Sequence, residues 1–370
     1  MADAVPRRRS STAAVCFITL VLVSCGSSHA VPRPAIFIFG DSLVECGNNN
    51  FIATLSRANY YPNGIDFGGP TGRFTNGRTI VDIVGQNLGL PSFTPPYMDP
   101  ATVGPVVLTG VNYASGAGGI LNKTGKLFGD RINMDAQIDN FANTRQYIIG
   151  TVGDNYSQLL LRSAVFSITV GSNDFINNYL TPVVSVAEQQ LISPQMFVSV
   201  LIAKLRLQLT RLYNFGARKL VVTNVGPIGC IPSQRDLNPS AGEDCVSFPN
   251  ELAQKYNLVL RGLVDDLNDE LRDATFLYAD VYSIVVDIIE NYRSYGFENA
   301  NSPCCRLLGR FGGLVPCGPS SKLCNDRSKF VFWDPYHPSE AANIIIARRL
   351  LDGSKEDIYP INVRKLATSG

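Results

Sequence analysis

From residue 35 onward, short apolar runs alternate with longer amphipathic stretches, and this alternation limits the fold more than any other feature of the chain. Repeated alternation of strand and helix is typical of a mostly parallel sheet with helices on both faces. We therefore predict one domain over residues 31–370, an α/β/α sandwich of three layers. The predicted strands are Ala35–Phe39, Val106–Tyr113, Ala164–Val170, Lys219–Val225 and Thr275–Ala279, and the predicted helices include Thr79–Leu88, Pro194–Tyr213 and Glu251–Arg272.

Two helices carry more detailed predictions. In the helix that begins at Pro194, the spacing predicts one buried face. The residues expected on that face are Met196, Val200, Leu201 and Leu205. A later helix is expected to begin at Pro338 and to end near Gly353, which places His337 at its N-cap. The positive end of the helix dipole would then favour a neutral imidazole, able to act as a base.

Composition excludes several classes of protein. Hydrophobic residues make up 45% and charged residues 17%, so the chain can bury a large core. The net charge of +1 and the lack of a basic stripe argue against a nucleic-acid partner. The chain has only two histidines, His29 and His337, and the first lies in a segment that we expect to be removed. A metal site built on two histidines is therefore not expected.

The first thirty residues resemble a cleaved secretory signal. Arg7–Arg9 form a basic region, the apolar stretch Ala13–Val23 follows, and Ser28-His29-Ala30 supplies small residues at a cleavage site. Eleven apolar residues are too few to span a bilayer, and no later stretch qualifies as a transmembrane helix. We therefore expect a secreted, extracellular protein, in the surrounding fluid or in the cell wall. The alternative is an uncleaved membrane anchor.

Two further features agree with secretion. Asn122 and Asn155 each begin an acceptor triplet for N-glycosylation. Seven cysteines lie beyond residue 30, without the spacing or the histidines of a zinc site, so disulfides are expected. Seven is odd, and Cys46, far from the others in sequence, is our candidate for the free thiol. The pairing of the remaining cysteines stays open.

The candidate catalytic residues come from two segments. Gly40-Asp41-Ser42-Leu43 directly follows the first predicted strand, where a tight turn can present a serine hydroxyl. Asp334-Pro335-Tyr336-His337 places a carboxylate three residues before a histidine, close enough to orient the ring. Either segment alone is more often an ordinary turn. Together they supply a nucleophile, a base and a group that holds the base.

Two glycine-containing turns supply candidate donors for an oxyanion hole. Asn112–Gly116 and Gly171–Asp174 each follow a predicted strand. The Gly116 backbone N–H and the Asn173 side-chain amide are the candidate donors, because a tetrahedral intermediate needs two or three such groups.

These segments, in this order, resemble the GDSL esterase/lipase family, also called SGNH hydrolases, and most closely its plant secreted branch. That branch carries further segments similar to those found here, namely Gly47–Asn50, Gly72–Arg78, Gly226–Cys230 and Phe332–Pro338. The resemblance extends over nearly all of the chain beyond the signal. It implies an SGNH-hydrolase-like, flavodoxin-like fold, which also fits the absence of a GxSxG elbow.

Carried over by position, the resemblance implies that Ser42 is the nucleophile, His337 the general base and Asp334 its orienting partner. It implies that the Ser42 N–H, Gly116 and Asn173 form the oxyanion hole. The substrate would be a small or polymeric ester, and no metal or other cofactor would be required. The oligomeric state is not predicted.

The chain departs from the family pattern at two places. Glu45-Cys46 replaces the usual aspartate and small residue, and Gly116–Gly119 reorders the usual Gly-Gly-Ala-Gly. Because Cys46 follows Ser42 so closely, activity is expected to be sensitive to thiol reagents. Two alternatives to ester hydrolysis remain open: an acyltransferase that uses the same acyl-enzyme, and a secreted glycoprotein without catalysis.

Overall fold

The computed structural model describes residues 1–2, 34–181 and 191–369. The predicted signal peptide, residues 1–30, therefore lies almost entirely outside the described residues. Arg33–Gly370 form one compact unit. Within the part of the chain that is described, no helix is both long and apolar enough to cross a membrane.

A central sheet organises this unit. Its strands are β1 (Ile36–Gly40), β2 (Val165–Thr169), β3 (Lys219–Thr223), β4 (Thr275–Ala279) and β9 (Ile358–Tyr359). The strand order is β1-β2-β3-β4-β9, and the first four strands run parallel in register while β9 is an antiparallel edge. Two small two-stranded sheets hold β5 (Asn299–Pro303), β6 (Cys305–Arg306), β7 (Lys322–Leu323) and β8 (Phe330–Phe332).

Helices cover both faces of the sheet, which confirms the three-layer α/β/α prediction. One core cluster packs α2, α3, α5 and α7 on one face, and another packs α1, α8, α9 and α10 on the other. The bounds are α1 (Ile80–Asn87), α2 (Met134–Val152), α3 (Asp154–Ser163), α4 (Ser172–Asp174), α5 (Pro194–Asn214), α6 (Pro232–Leu237), α7 (Ser247–Glu270), α8 (Val281–Glu290), α9 (Glu340–Asp352) and α10 (Val363–Thr368).

The two faces of the sheet carry side chains of different size. Because side chains alternate along a strand, paired residues of parallel strands share a face. The face beneath α2, α5 and α7 is filled by large residues, among them Phe37, Phe39, Phe166, Leu220, Phe276 and Tyr278. Toward the carboxyl ends, the face beneath α9 carries small residues, namely Gly40, Ser167, Thr169, Thr223 and Ala279.

The predicted strand Val106–Tyr113 is wrong. Its first part forms a 3-10 helix, Gly104–Thr109, and only Asn112 makes isolated bridges to Ile38 and Pro96. Gly110 explains the close approach to β1, because its φ is 120° and a Cβ there would lie 2.0 Å from the Ile36 carbonyl oxygen. The segment thus passes β1 without extending the sheet.

The buried face of α5 differs from the prediction. Leu201 and Leu205 are buried as expected, but Met196 and Val200 are exposed. The stripe that packs inward starts at Phe197, whose ring stacks on Tyr179 at 4.9 Å between centroids. An aromatic anchor therefore sets the rotation of the helix.

The predicted N-cap at His337 is also wrong. The helix α9 begins at Glu340, and the Ser339 hydroxyl caps it by accepting a hydrogen bond from the Ala342 N–H. Serine is a preferred N-cap, whereas Pro338 is held in a bridge to Phe332. His337 therefore lies before the helix, and another contact must orient its ring.

Candidate active site

The structure brings Ser42, His337 and Asp334 together in one hydrogen-bonded chain. The His337 Nε2 atom lies 2.8 Å from the Ser42 Oγ atom. On the other side of the ring, Nδ1 lies 2.8 Å from both carboxylate oxygens of Asp334. His337 and Asp334 are both buried, which shields their contact from water. This is the arrangement that activates a serine hydroxyl as a nucleophile.

Local geometry fixes Asp334 against His337. The Asp334 Oδ1 atom also accepts hydrogen bonds of 2.8 Å from the backbone N–H groups of Tyr336 and His337. The same carboxylate thus closes the turn and holds the imidazole. The predicted contact between Asp334 and His337, three residues apart, results from this turn.

The segment Gly72–Arg78 holds the histidine from the other side. The Phe74 ring lies 5.1 Å from the His337 ring between centroids. The Thr75 hydroxyl donates to the Pro338 carbonyl oxygen at 3.1 Å, and Asn76 Oδ1 accepts from the Glu340 N–H at 2.9 Å. The family motif in this segment therefore supports the base, a role that sequence reasoning did not assign.

Two disulfides lie beneath the turn that carries Asp334. Cys304–Cys324 and Cys305–Cys317 pack around Trp333, which is fully buried. The Trp333 indole N–H donates to Asn63 Oδ1 at 2.9 Å. The backbone N–H of Cys305 donates to the Trp333 carbonyl oxygen at 2.7 Å, so the disulfide region is tied directly to the residue before Asp334.

Of the remaining cysteines, Cys46 follows the prediction of a free thiol, whereas the sequence leaves the pairing of the other two open. Cys230 pairs with Cys245, and Cys46 is the free cysteine among those described. Cys46 is buried, and burial raises the pKa of its thiol, which lowers its reactivity. Burial therefore argues against the expected sensitivity of the native enzyme to thiol reagents.

One expected oxyanion donor is engaged inside the protein. The Gly116 N–H donates to Glu45 Oε2 at 3.0 Å. Glu45 is itself fully buried, and its other oxygen accepts from the Asn49 N–H at 2.8 Å. The departure from the family pattern at Glu45 thus bears directly on the predicted role of Gly116.

The backbone N–H of the next residue, Ala117, is not engaged in this way by any residue that the structure describes. Ala117 lines the cavity that contains Ser42 and has a φ of 62°. Within the described residues, neither the Ala117 N–H nor the Ser42 N–H donates a hydrogen bond. A left-handed conformation at a residue other than glycine is uncommon and costs energy, so it is a feature of interest at a functional site.

Asn173 also lines this cavity. One N–H of its side-chain amide donates to the Gly118 carbonyl oxygen at 3.0 Å, and its Oδ1 accepts from the Asn177 amide at 3.1 Å. These contacts fix the orientation of the amide and leave its second N–H available to a ligand.

Three buried carboxyl groups surround the site. Burial raises the pKa of Asp41 to about 7, that of Glu45 to about 8 and that of Asp174 to about 6. Asp174 accepts from the backbone N–H groups of Ile120 and Leu121, at 2.8 and 3.0 Å, so it fixes the loop beyond Ala117. Among the described residues, no group of three or more His, Cys, Asp or Glu side chains could hold a metal ion.

A second amide fixes the turn that presents Ser42. Gln137, fully buried on α2, accepts from the Gly40 N–H at 2.8 Å and donates to the Gly40 carbonyl oxygen at 2.7 Å. A Cβ at Gly40 would lie 2.4 Å from the Thr169 carbonyl oxygen, so glycine is required there. Nothing in the local sequence marked Gln137, because 97 residues separate it from Gly40.

An α/β/α sandwich with a serine, a histidine and a carboxylate at the carboxyl edge of its sheet has the geometry expected of a hydrolase of the serine type. The family model for GDSL-like Lipase/Acylhydrolase matches residues 36–350. The chain therefore belongs to the GDSL lipase/acylhydrolase family, as the resemblance indicated, and is an ester-hydrolysing enzyme.

Individual relatives agree with this assignment. The chain is 65% identical over 334 residues to GDSL esterase/lipase At4g16230 of Arabidopsis thaliana. The aligned region covers 90% of this chain and 91% of that protein. It is 51% identical over 337 residues to GDSL esterase/lipase At2g23540 of the same plant, over 90% of this chain and 87% of that protein.

Proposed function

We propose that the protein hydrolyses carboxylic esters through Ser42, His337 and Asp334, with an acyl-enzyme intermediate. The observation that supports this proposal is the continuous chain of 2.8 Å contacts from the Ser42 hydroxyl through His337 to Asp334. In the first step, the Ser42 oxygen attacks the ester carbonyl carbon and its proton moves to His337 Nε2. The carbon–oxygen bond to the alcohol then breaks, and the alcohol leaves with that proton.

Deacylation repeats the same proton movements with water. His337 takes a proton from water, the hydroxide adds to the acyl carbon, and the bond to Ser42 breaks as the proton returns to the serine oxygen. Asp334 holds the ring in the tautomer that leaves Nε2 free and stabilises the imidazolium between steps. The ester and water are the only reactants needed to balance the two halves of the reaction.

For the oxyanion, we propose three donors: the Ser42 N–H, the Ala117 N–H and the Asn173 amide. Ala117 is assigned in place of the predicted Gly116, because the Gly116 N–H donates to Glu45 in the free enzyme. The Ala117 N–H has no acceptor among the described residues and borders the same cavity as Ser42. Fixed donors of this kind stabilise the charge that develops on the carbonyl oxygen.

We also propose that the protein is a secreted, extracellular glycoprotein. Residues 1–30 would be its signal peptide, and Asn122 and Asn155, both exposed, would carry glycans. The three disulfides agree with folding in an oxidising compartment. Secretion from a plant host and a mobility shift after glycosidase treatment would test this point, and single Asn→Gln variants would identify each glycan.

The catalytic proposal is tested by labelling and turnover. A fluorophosphonate probe should label the wild-type enzyme at Ser42, and p-nitrophenyl esters should be hydrolysed. The Ser42→Ala variant should lose both, whereas Ser172→Ala, a matched change in the same cavity, should keep both. Equal turnover by wild type and Ser42→Ala would contradict the proposal. Adding an alcohol acceptor would show whether acyl transfer competes with hydrolysis.

A further inference from the structure

An apolar cavity extends from the catalytic serine into the layer between the sheet and α9. Its volume is about 240 Å³, and its lining includes both Ser42 and His337 and residues far beyond them, as distant as Val363 on α10. Protein interiors are normally packed with few voids larger than a water molecule. A cavity of this size that begins at the reacting groups therefore indicates a binding site for part of a ligand.

The sheet supplies one wall of the cavity through small side chains. Ser167 lies in the middle of β2, between two paired strands and beneath a helix layer, and yet it is only half-buried. Its neighbours Val165 and Thr169 share its face and also line the cavity. On the adjacent strand, Val221 also lines the cavity. On this face, the sheet thus borders the open space of the cavity. On the opposite face, aromatic side chains fill the space between the sheet and its helices.

Helix α9 supplies the facing wall. Ala342, Ile346 and Leu350 follow one another at intervals of four residues, so they form a single stripe along the helix. Eight residues of helix extend about 12 Å. The strand wall from Thr169 back to Val165 covers a similar distance, about 13 Å. The two walls therefore border an elongated channel that leads away from His337.

The chemistry of the lining indicates its ligand. Apart from Ser167, the deep residues are aliphatic, and the two threonines nearest the mouth, Thr169 and Thr223, hydrogen-bond to each other at 3.2 Å. Ordered water needs several polar partners, which such a lining does not offer. A narrow aliphatic channel with the polar reacting groups at one end matches a linear acyl chain whose carboxyl carbon lies at Ser42.

On the basis of the proposed ester hydrolysis at Ser42, we propose that the acyl chain of the substrate is bound inside the sandwich, between the sheet and α9. The substrate class is then an ester of a linear, medium-length or longer fatty acid. The alcohol part stays at the mouth, near Asn173 and Phe74. The sheet-to-helix layer, normally part of the core, acts here as the specificity pocket for the acyl group.

Two variants are designed to fill the channel. Ser167→Leu adds volume on the sheet wall, and Val84→Phe adds volume from α1, where Val84 is half-buried and also lines the cavity. Ser199→Leu, an exposed position on α5, is the matched control. Each variant is first checked for folding by circular dichroism and melting. Because the two changes approach from different elements, failure of one to fold leaves the other as a test.

The first measurement is kinetic and uses p-nitrophenyl acetate, octanoate and palmitate. We expect wild type and Ser199→Leu to prefer octanoate or palmitate to acetate. In the folded channel variants, kcat/KM for octanoate should fall at least tenfold while that for acetate changes less than about threefold. Equal losses on all three esters, or no loss on any, would overturn the channel proposal and leave the hydrolase function intact.

The second measurement does not depend on catalysis. In the Ser42→Ala background, octanoate and palmitate should raise the melting temperature, acetate should not, and either channel variant should abolish the effect. Fatty-acid binding that survives both channel variants would overturn the proposed location. Chain-length-dependent binding that the variants abolish, together with no ester turnover by the wild type, would support the channel and contradict the hydrolase.

Discussion

The Nε2 atom of His337 lies 2.8 Å from the Oγ atom of Ser42, although 295 residues separate the two in the sequence. Ser42 follows the first strand of the sheet, and His337 precedes the helix that covers it. Their contact therefore depends on the sheet and α9 being packed correctly.

The Asp334→Asn variant should keep its fold and lose most of its turnover. The amide removes the charge that stabilises the imidazolium and can hold the ring in the wrong tautomer. We expect kcat to fall by about 10³- to 10⁴-fold, with KM for a p-nitrophenyl ester little changed. The control is Asp326→Asn, an exposed carboxylate of the same loop region. A loss of less than tenfold in the folded variant would mean that Asp334 does not orient the base.

The Asn173→Ala variant tests the side-chain donor of the oxyanion hole. Loss of one such donor should lower kcat by about 10²- to 10³-fold, mainly without an effect on KM. Asn177→Ala should cost less, because Asn177 also lines the cavity but is not a proposed donor to the oxyanion, and it supports Asn173 through a 3.1 Å hydrogen bond to Oδ1. If the Asn177 variant lost more kcat than the Asn173 variant, Asn173 would not be a donor to the oxyanion.

The assignment of Ala117 can be tested by observing its backbone amide. In protein labelled with ¹⁵N-alanine and ¹⁵N-glycine, reaction of Ser42 with a fluorophosphonate should shift the Ala117 amide proton strongly downfield. The Gly116 amide, bonded to Glu45, should move less. The Ala117 signal is identified as the alanine signal that disappears from the spectrum of the Ala117→Gly variant. Glycine also relieves the strain of the left-handed conformation at this position, where φ is 62°. A larger shift at Gly116 than at Ala117 would return the role to Gly116.

Stability should fall as the pH rises from about 5 to 8. The pKa of Glu45 is raised by burial from 4.5 to about 8, so the folded state holds a proton that the unfolded state releases above its lower pKa. Unfolding free energy decreases with pH wherever the folded state binds more protons, at most about 1.4 kcal/mol per pH unit for one group. The decrease ends above the folded pKa.

Melting curves at several pH values check this sign. Asp41 and Asp174 contribute in the same direction, because burial raises their pKa values as well. Glu45→Gln should therefore reduce the slope of melting temperature against pH without removing it. An unchanged slope in this variant would show that Glu45 is ionised in the folded protein across the range.

The disulfide Cys305–Cys317 should support activity through the turn that carries Asp334. Replacing both cysteines by serine opens a loop with a sequence separation of 12, and we expect a loss of about 3 kcal/mol in the free energy of unfolding. The Cys305 N–H also donates a hydrogen bond to the Trp333 carbonyl oxygen, and Trp333 directly precedes Asp334. Because loss of the disulfide would loosen this connection, kcat should fall as well. The Cys230→Ser/Cys245→Ser variant is the matched control, since its disulfide does not contact Trp333. Equal kcat losses in both variants would indicate a general effect of lowered stability.

Much of this architecture could be predicted from local patterns. Four of the five predicted strands exist, and Thr275–Ala279 has the predicted bounds. The failed strand at Val106–Tyr113 had the right composition, but Gly104, Pro105 and Gly110 direct its backbone into a 3-10 helix and past β1. The N-cap at His337 failed because a better capping residue, Ser339, lies two positions later.

The sequence by itself determined most of the elements and the local geometry of the site. Residues that are close in sequence are close in space, so the Asp334–His337 contact and the tight turn at Ser42 are properties of short segments. The alternation of strand and helix patterns likewise determined the layers, because each amphipathic face must be buried.

Only the tertiary structure decided how these parts meet. The engagement of Gly116 by Glu45, the support of His337 by Phe74, the pairing of the cysteines and the channel beneath α9 all join residues far apart in sequence. Such contacts depend on the distance and angle between packed elements, which no local pattern encodes. The channel in particular arises where small strand residues face a helix, so it exists only once the two layers are assembled.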